Sequence, residues 1–431
     1  MNPMDLPRVL AIMGSGETAP TMARVHRMLF GRLGRSPVPA VLLDTPYGFQ
    51  ENADEITARA LDYFRENVGN PMLPASFRRA DADPLQHATA VARAREAQYL
   101  FAGPGSPSYA LAQWRGSEVP SIVADKLRLG GIVVFASAAA LTLGSHTVPV
   151  YEIYKVGEAP HWLAGLDLLS AVGLPIAVIP HYDNAEGGSH DTRFCYLGES
   201  RLAVLERLLP AGHFVLGIDS HTALVLDLMA GTASVLGVGS VTVRADGRSE
   251  VFASGTTLPL AGLGDAAARL RSASGNAGAL TAAGADADLQ APVTGAATRT
   301  PLDLEVRELE ARFAEQLTAG RVPEAVRTTL AMDHLILDWS RDTDGTDDID
   351  RARQAFQSLI VRLGERATQA DAAGATDRLA PLVELLLDLR GHARASRDFR
   401  QADWIRDALG DAGIELRDGP DGTTWGARQD A

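Results

Sequence analysis

The run Ile132-Val133-Val134-Phe135 passes without a break into Ala136-Ser137-Ala138-Ala139-Ala140-Leu141. Four large apolar residues, three of them β-branched, make a strand buried on both faces, and the alanine-rich stretch behind them favours helix. Nothing separates the two, so the chain must bend within one or two residues. Ser137 stands at that bend among small neighbours, at the mouth of a helix N-terminus. A serine nucleophile needs this placement, with an accessible Oγ and backbone N–H groups beside it for an oxyanion. A serine that only caps the helix reads the same way.

The surrounding pattern alternates strand and helix. Val9–Met13 is an apolar run ending in Gly14-Ser15-Gly16-Glu17, and Ala40–Leu43 is the next strand. A helix over 51–65 carries Ile56, Leu61 and Phe64 inward. Gln98–Ala102 ends in Gly103-Pro104-Gly105, and helices around 109–114 and 121–129 lead into the strand before Ser137. Leu174–Pro180 and Phe214–Ile218 are further strands, and Val235–Val243 with Glu250–Ala253 reads as an edge hairpin turned through Asp246-Gly247. The fold class is therefore α/β, a mainly parallel sheet sandwiched by helices. In such sheets, sites gather at the carboxyl ends of the strands. The 14–16 glycines lack the third glycine of a dinucleotide fingerprint and read as a close-packed strand-to-helix turn.

At 431 residues, two or three domains are expected. The α/β domain covers 1–260. An Ala/Gly-rich linker follows over 261–301, with some helix around Ala266–Leu270. Val306, Leu309, Phe313 and Leu317 then recur at helical spacing, and Leu382–Leu389 and Ala402–Leu409 continue the pattern, so 302–431 is a small α-helical bundle domain. The net charge of −14 argues against general affinity for nucleic acid or anionic membrane. The N-terminus has no signal-peptide pattern, no run is long and apolar enough to span a bilayer, and the cytoplasm is the default location. The single cysteine, Cys195, excludes an internal disulfide and a thiolate zinc site.

Ser137, His181 and Asp219 follow one another at strand ends. Imidazole is the usual base for a serine hydroxyl, and a carboxylate orients the imidazole. Asp219 is the acid in this order, although strand alternation turns its side chain away from that of its neighbour Ser220. The loop after His181 also holds Asp183, Glu186, His190 and Asp191, without regular metal spacing, so no metal and no cofactor is expected. Arg193 offers a fork for a substrate carboxylate, or pairs with a loop acid.

Residues 8–255 resemble the serine-peptidase family of cyanophycinase and aspartyl dipeptidase, on the class I glutamine amidotransferase fold. The likeness is carried by Ile12-Met13-Gly14-Ser15-Gly16-Glu17, Phe101-Ala102-Gly103-Pro104-Gly105 and Phe135-Ala136-Ser137-Ala138-Ala139-Ala140. It continues through Gly165-Leu166-Asp167-Leu168-Leu169, Pro180-His181-Tyr182 and Gly217-Ile218-Asp219-Ser220-His221-Thr222-Ala223-Leu224. The resemblance implies Ser137 as nucleophile, His181 as base, and Gly103, Gly105 and Ala138 as oxyanion donors; Glu17 and Arg193 are the substrate-binding candidates. Three departures stand out. Ser220 replaces the family's acid, Pro104 brings no N–H to the oxyanion segment, and Ala136 and Ala139 tighten the nucleophile turn. Asp219 or an acid of the 183–191 loop must then orient His181.

The segments Arg397–Leu409 and Gly413–Trp425 resemble the end of cysteinyl-tRNA synthetases and the related mycothiol ligase. The synthetase's catalytic motifs are absent, which leaves a helical scaffold for packing or dimerisation. The leading function is a serine hydrolase cleaving an amide or isopeptide of a small or acidic peptide-like substrate. A non-catalytic scaffold on the same fold is the alternative, as is an RNA-linked factor that uses the bundle. A membrane partner is not expected, nucleic acid is disfavoured, and a homo-oligomer is allowed.

Overall fold

A computed structural model describes residues 6–34, 36–185, 190–277, 301–340, 342, 346–368, 375–419 and 422–427. The chain divides into two compact units, residues 1–298 with 341–345, and residues 299–340 with 346–431.

The first unit is built on an eight-stranded sheet. Its order runs Thr257–Pro259, Thr232–Gly237, Thr222–Asp227, Arg8–Met13, Gly131–Ala136, Tyr99–Ala102, Ala40–Leu43, Leu73–Ala75. From Arg8–Met13 to Leu73–Ala75 every pairing is parallel. The other three strands join antiparallel. Central strands such as Gly131–Ala136 are buried along their whole length, as a sheet covered on both faces requires. Two apolar clusters lie on its two sides, alternating along each strand. Leu10 and Ile12 enter one, and Val9, Ala11 and Met13 the other.

The α/β class with a large, mostly parallel central sheet is as expected, and a second sheet of four strands, in the order Arg248–Ala253, Ser240–Ala245, Phe214–Ile218, Ile176–Ile179, accompanies it. Val235–Val243 is not one strand. The chain leaves the large sheet at Gly237 (φ 114°), crosses through Val238-Gly239 and enters the small sheet at Ser240. The Asp246-Gly247 turn is as read, with Ala245 paired to Arg248 and both turn residues at positive φ (52° and 73°). The domain also runs past residue 260. Helix Ala261–Ala277 buries Leu263, Ala266 and Ala267 in the main core, so its first half is not linker. The rest of the expected linker, 278–300, lies outside the described residues.

The second unit contains helices Pro301–Thr318, Val322–Trp339, Thr346–Thr368, Ala375–Ala395 and Phe399–Asp411. Phe313, Phe356 and Leu389 are among its most buried side chains. It closes with a hairpin, Ile414–Gly419 against Gly422–Ala427, that the helical reading passed over. Arg390 forks onto the Asp418 carboxylate at 2.8 Å twice, and Arg394 reaches the same group at 3.2 Å.

Candidate active site

Register explains why the site forms. Met13 lies opposite Ala136, and Ala102 opposite Phe135, so the Gly14–Glu17 and Gly103–Gly105 loops both leave the sheet beside Ser137. In the small sheet Ile179 lies opposite Gly217, which places His181 and Asp219 at its matching end. The two sheets meet there. Gly14 donates to Thr222 O at 3.0 Å, and a Cβ on Gly14 would sit 2.0 Å from Asp219 O. Only glycine allows that approach, which makes the 14–16 motif a packing device rather than a nucleotide cradle.

Ser137 Oγ and His181 Nε2 are 2.9 Å apart, one residue from each sheet. Ser137 has φ 47° and His181 φ 46°, values that L-residues adopt at a cost of about 1–3 kcal/mol each and that cluster at functional sites. The serine is 7% exposed and His181 is half-buried. Helix Ser137–Leu141 starts at the serine, so the N–H of Ala138 lies in its first turn. Ala139 N–H donates to Gly103 O at 3.2 Å, which ties the Gly103–Gly105 loop to the nucleophile turn. Gly105 has φ 133° and presses on Pro46, where a Cβ would meet Pro46 O at 2.1 Å.

The acids fall differently from their sequence order. Asp219 Oδ2 accepts from the Ser240 N–H at 2.8 Å and from the Ser240 hydroxyl at 2.6 Å. Those bonds tie Asp219 to the strand next in the small sheet, Ser240–Ala245. Burial raises the Asp219 carboxyl above its ordinary range, and Asp183 adds to the rise. Asp183, two residues after His181, accepts from the N–H of Ser220 at 2.7 Å through its Oδ1.

A second histidine joins this group. His221 (φ 53°) is 8% exposed, its Nδ1 is 3.0 Å from Thr21 Oγ1, and its ring fills the space that Gly16 leaves by lacking a Cβ. Burial lowers its affinity for a proton. Asp342 and Asp183 oppose that shift, and the His181 ring adds to it. Asp342, which clusters with the first unit, accepts from the Thr18 hydroxyl at 3.2 Å. Sequence reading passed over His221, although its place at the end of a strand was the same signal that found His181.

Glu17 is buried, whereas Arg193 is exposed and paired with a loop acid. The Glu17 side chain has no exposure and lies under Gly103, where a Cβ would come within 2.7 Å of its Oε1. Its carbonyl accepts from His26 Nε2 at 2.7 Å. Arg193 already forks onto Asp191, at 2.8 and 2.9 Å, and holds that carboxyl well below the usual range. Glu186 lies outside the described residues. Among those described, no three His, Cys, Asp or Glu side chains converge as a metal site. Cys195 is buried in the apolar cluster with Tyr182 and Phe194, and burial pushes its thiol up to about 12.

No protein-family model matches the chain. The chain is similar to cysteine–tRNA ligases, in agreement with the resemblance of its C-terminal end. It is 51% identical to that of Vibrio atlanticus over 61 residues, which are 14% of this chain and 13% of the ligase. It is 31% identical to that of Pseudarthrobacter chlorophenolicus over 131 residues, 29% of this chain and 25% of the ligase. The matched parts thus span a quarter or less of either ligase. Among solved structures, a peptidase from an acI-B1 Actinobacterium matches with a TM-score of 0.49 and 20% identity, over 59% of this chain and 98% of that one.

Proposed function

We propose that the first unit is a serine-type hydrolase that cleaves an amide or isopeptide bond in a small or acidic peptide-like substrate. The observation that carries the reading is the 2.9 Å contact between Ser137 Oγ and His181 Nε2, with the serine held at φ 47° on a strand-to-helix turn. Ser137 Oγ attacks the carbonyl carbon while His181 Nε2 takes its proton. The oxyanion that forms lies against the N–H groups of Ala138 and of the Gly103–Gly105 loop. His181 then gives the proton to the leaving amine, and a water deprotonated by the same imidazole releases the acyl group. Asp183 supplies the negative charge that stabilises the imidazolium, in place of the acid that Ser220 cannot be.

The second unit serves as a helical scaffold. The C-terminal stretch 301–430 holds 17 basic and 26 acidic side chains, and Arg390 and Arg394 are paired with Asp418, so clustered phosphate binding is not favoured. One cysteine and no helix, among the described residues, long and apolar enough to cross a membrane accord with a cytoplasmic role.

The test is turnover of a panel of short isopeptides and acidic dipeptides by the full chain. We expect Ser137→Ala to lower kcat/KM by at least about 10³-fold, and Asp183→Asn by about 10²-fold or more with KM little changed. Wild-type turnover that equals Ser137→Ala across the panel would favour the non-catalytic scaffold.

A further inference from the structure

Phe194, Cys195 and Tyr196 have φ values of 61°, 55° and 66° in succession, and Gly198 follows at 70°. L-residues enter this left-handed region singly, mostly as Asn or Asp, and a run of three bulky residues there is disfavoured at each step. Such a turn persists only where its surroundings over-determine it.

Two of the holding hydrogen bonds reach the strand end that carries His181, and the rest brace the turn itself. Cys195 N–H donates to His181 O at 3.0 Å, and Phe194 N–H donates to Tyr182 O at 3.0 Å. Tyr196 N–H closes the turn on Thr192 O at 2.9 Å. The Phe194 ring packs on Tyr182 with centroids 4.5 Å apart. Two guanidiniums also face that ring, Arg193 at 5.0 Å from its centroid and Arg244 at 5.7 Å, the latter anchored by Glu199 and Glu206. At the outer end Asp191 fixes Arg193 and accepts from the Glu199 N–H at 2.9 Å. What this framework delivers is Tyr196, whose ring centroid lies 6.5 Å from the His181 imidazole at 43°. Tyr154 backs it, 5.1 Å further on.

We infer that the left-handed turn Phe194–Tyr196 is a clamp on His181, and that Tyr196 is a positioning residue whose ring keeps the imidazole on Ser137 Oγ. The inference rests on the reading of His181 as the base. Two links hold the histidine. The hydrogen bond from Cys195 fixes its backbone at φ 46°, and the Tyr196 ring limits the rotation of its side chain. A base displaced by about 1 Å loses on the order of 10² in rate, so a ring wall here is worth the strain of the turn.

The experiment uses the full chain with ¹⁵N-labelled histidine. Tyr196→Ala and Tyr196→Phe are compared with wild type for the imidazole signals of His181, assigned by their loss in His181→Gln, and for the rate at which a fluorophosphonate labels Ser137. We expect Tyr196→Ala to move the His181 signals and the pH midpoint of labelling, and to slow labelling by about tenfold or more. Tyr196→Phe should restore both to within about twofold, because the ring and not the hydroxyl acts. If Tyr196→Ala does not fold, Tyr196→Leu takes its place. Unmoved His181 signals in Tyr196→Ala, or no rescue by Tyr196→Phe, would overturn the inference. Should His181 respond as expected while wild type never labels, the clamp stands and the hydrolase reading falls.

Discussion

His26 shows how one buried side chain holds the site from behind. It has no exposure, its Nε2 is bonded to the Glu17 carbonyl, and its Nδ1 lies 2.6 Å from Tyr99 Oη. Burial lowers its pKa to about 4, with the bond to Glu17 opposing. Because the unfolded chain binds the proton more readily, stability is complete above the ordinary value near 6.5 and falls as pH drops toward 4. Between pH 7.5 and 5 this group alone should remove about 2 kcal/mol. Urea unfolding at both pH values should show that loss in wild type and little of it in His26→Gln, measured as the difference between the two proteins. An equal pH slope in both would mean that His26 is not held neutral. At this scale the sequence was legible for Ser137 and His181, because a strand end fixes which residue faces the site. For Asp219 the place at a strand end was legible but not its partner, since its bonds to the Ser240 N–H and hydroxyl depend on the neighbouring strand. The buried place of Glu17 was not legible, since nothing in Gly16-Glu17-Thr18 tells which face of the loop is covered.

Among elements, the hairpin Ser240–Ala245 to Arg248–Ala253 depends on two turn residues at positive φ. Nothing lies within 4 Å of where a Cβ on Gly247 would be, so Gly247→Ala pays only for its backbone. The expected loss is about 1 kcal/mol, read as a lower urea midpoint with an unchanged slope. No change would mean that the turn relaxes to another type. This turn was readable because Asp-Gly carries its own conformational signal. The split into two sheets was harder, since Val235-Leu236-Gly237-Val238-Gly239-Ser240-Val241 reads as one apolar run unless both glycines are taken as breaks. The C-terminal hairpin had a signal too, in the alternation of Ile414, Glu415, Leu416 and Arg417 before an Asp-Gly-Pro-Asp-Gly turn. The left-handed turn at 194–196 had none. Phe, Cys and Tyr are not residues that announce positive φ, and only the surrounding contacts impose it.

For the molecule as a whole, the α/β unit and the helical unit were separable because short apolar strand runs alternate with helices in one, while only helical spacing recurs in the other. What periodicity cannot reveal is that Ser137 and His181 come from different sheets, because their approach depends on the close contact at Gly14 and Asp219. The account stands or falls on whether that approach makes a reactive serine. The direct measurement is to incubate the full chain with a fluorophosphonate near pH 7.5, then map the adduct by peptide mass spectrometry, with Ser137→Ala and His181→Ala alongside. A single adduct on Ser137 is expected, absent in Ser137→Ala and strongly slowed in His181→Ala. A wild-type chain left unlabelled at Ser137, or labelling that persists unchanged in His181→Ala, would contradict it.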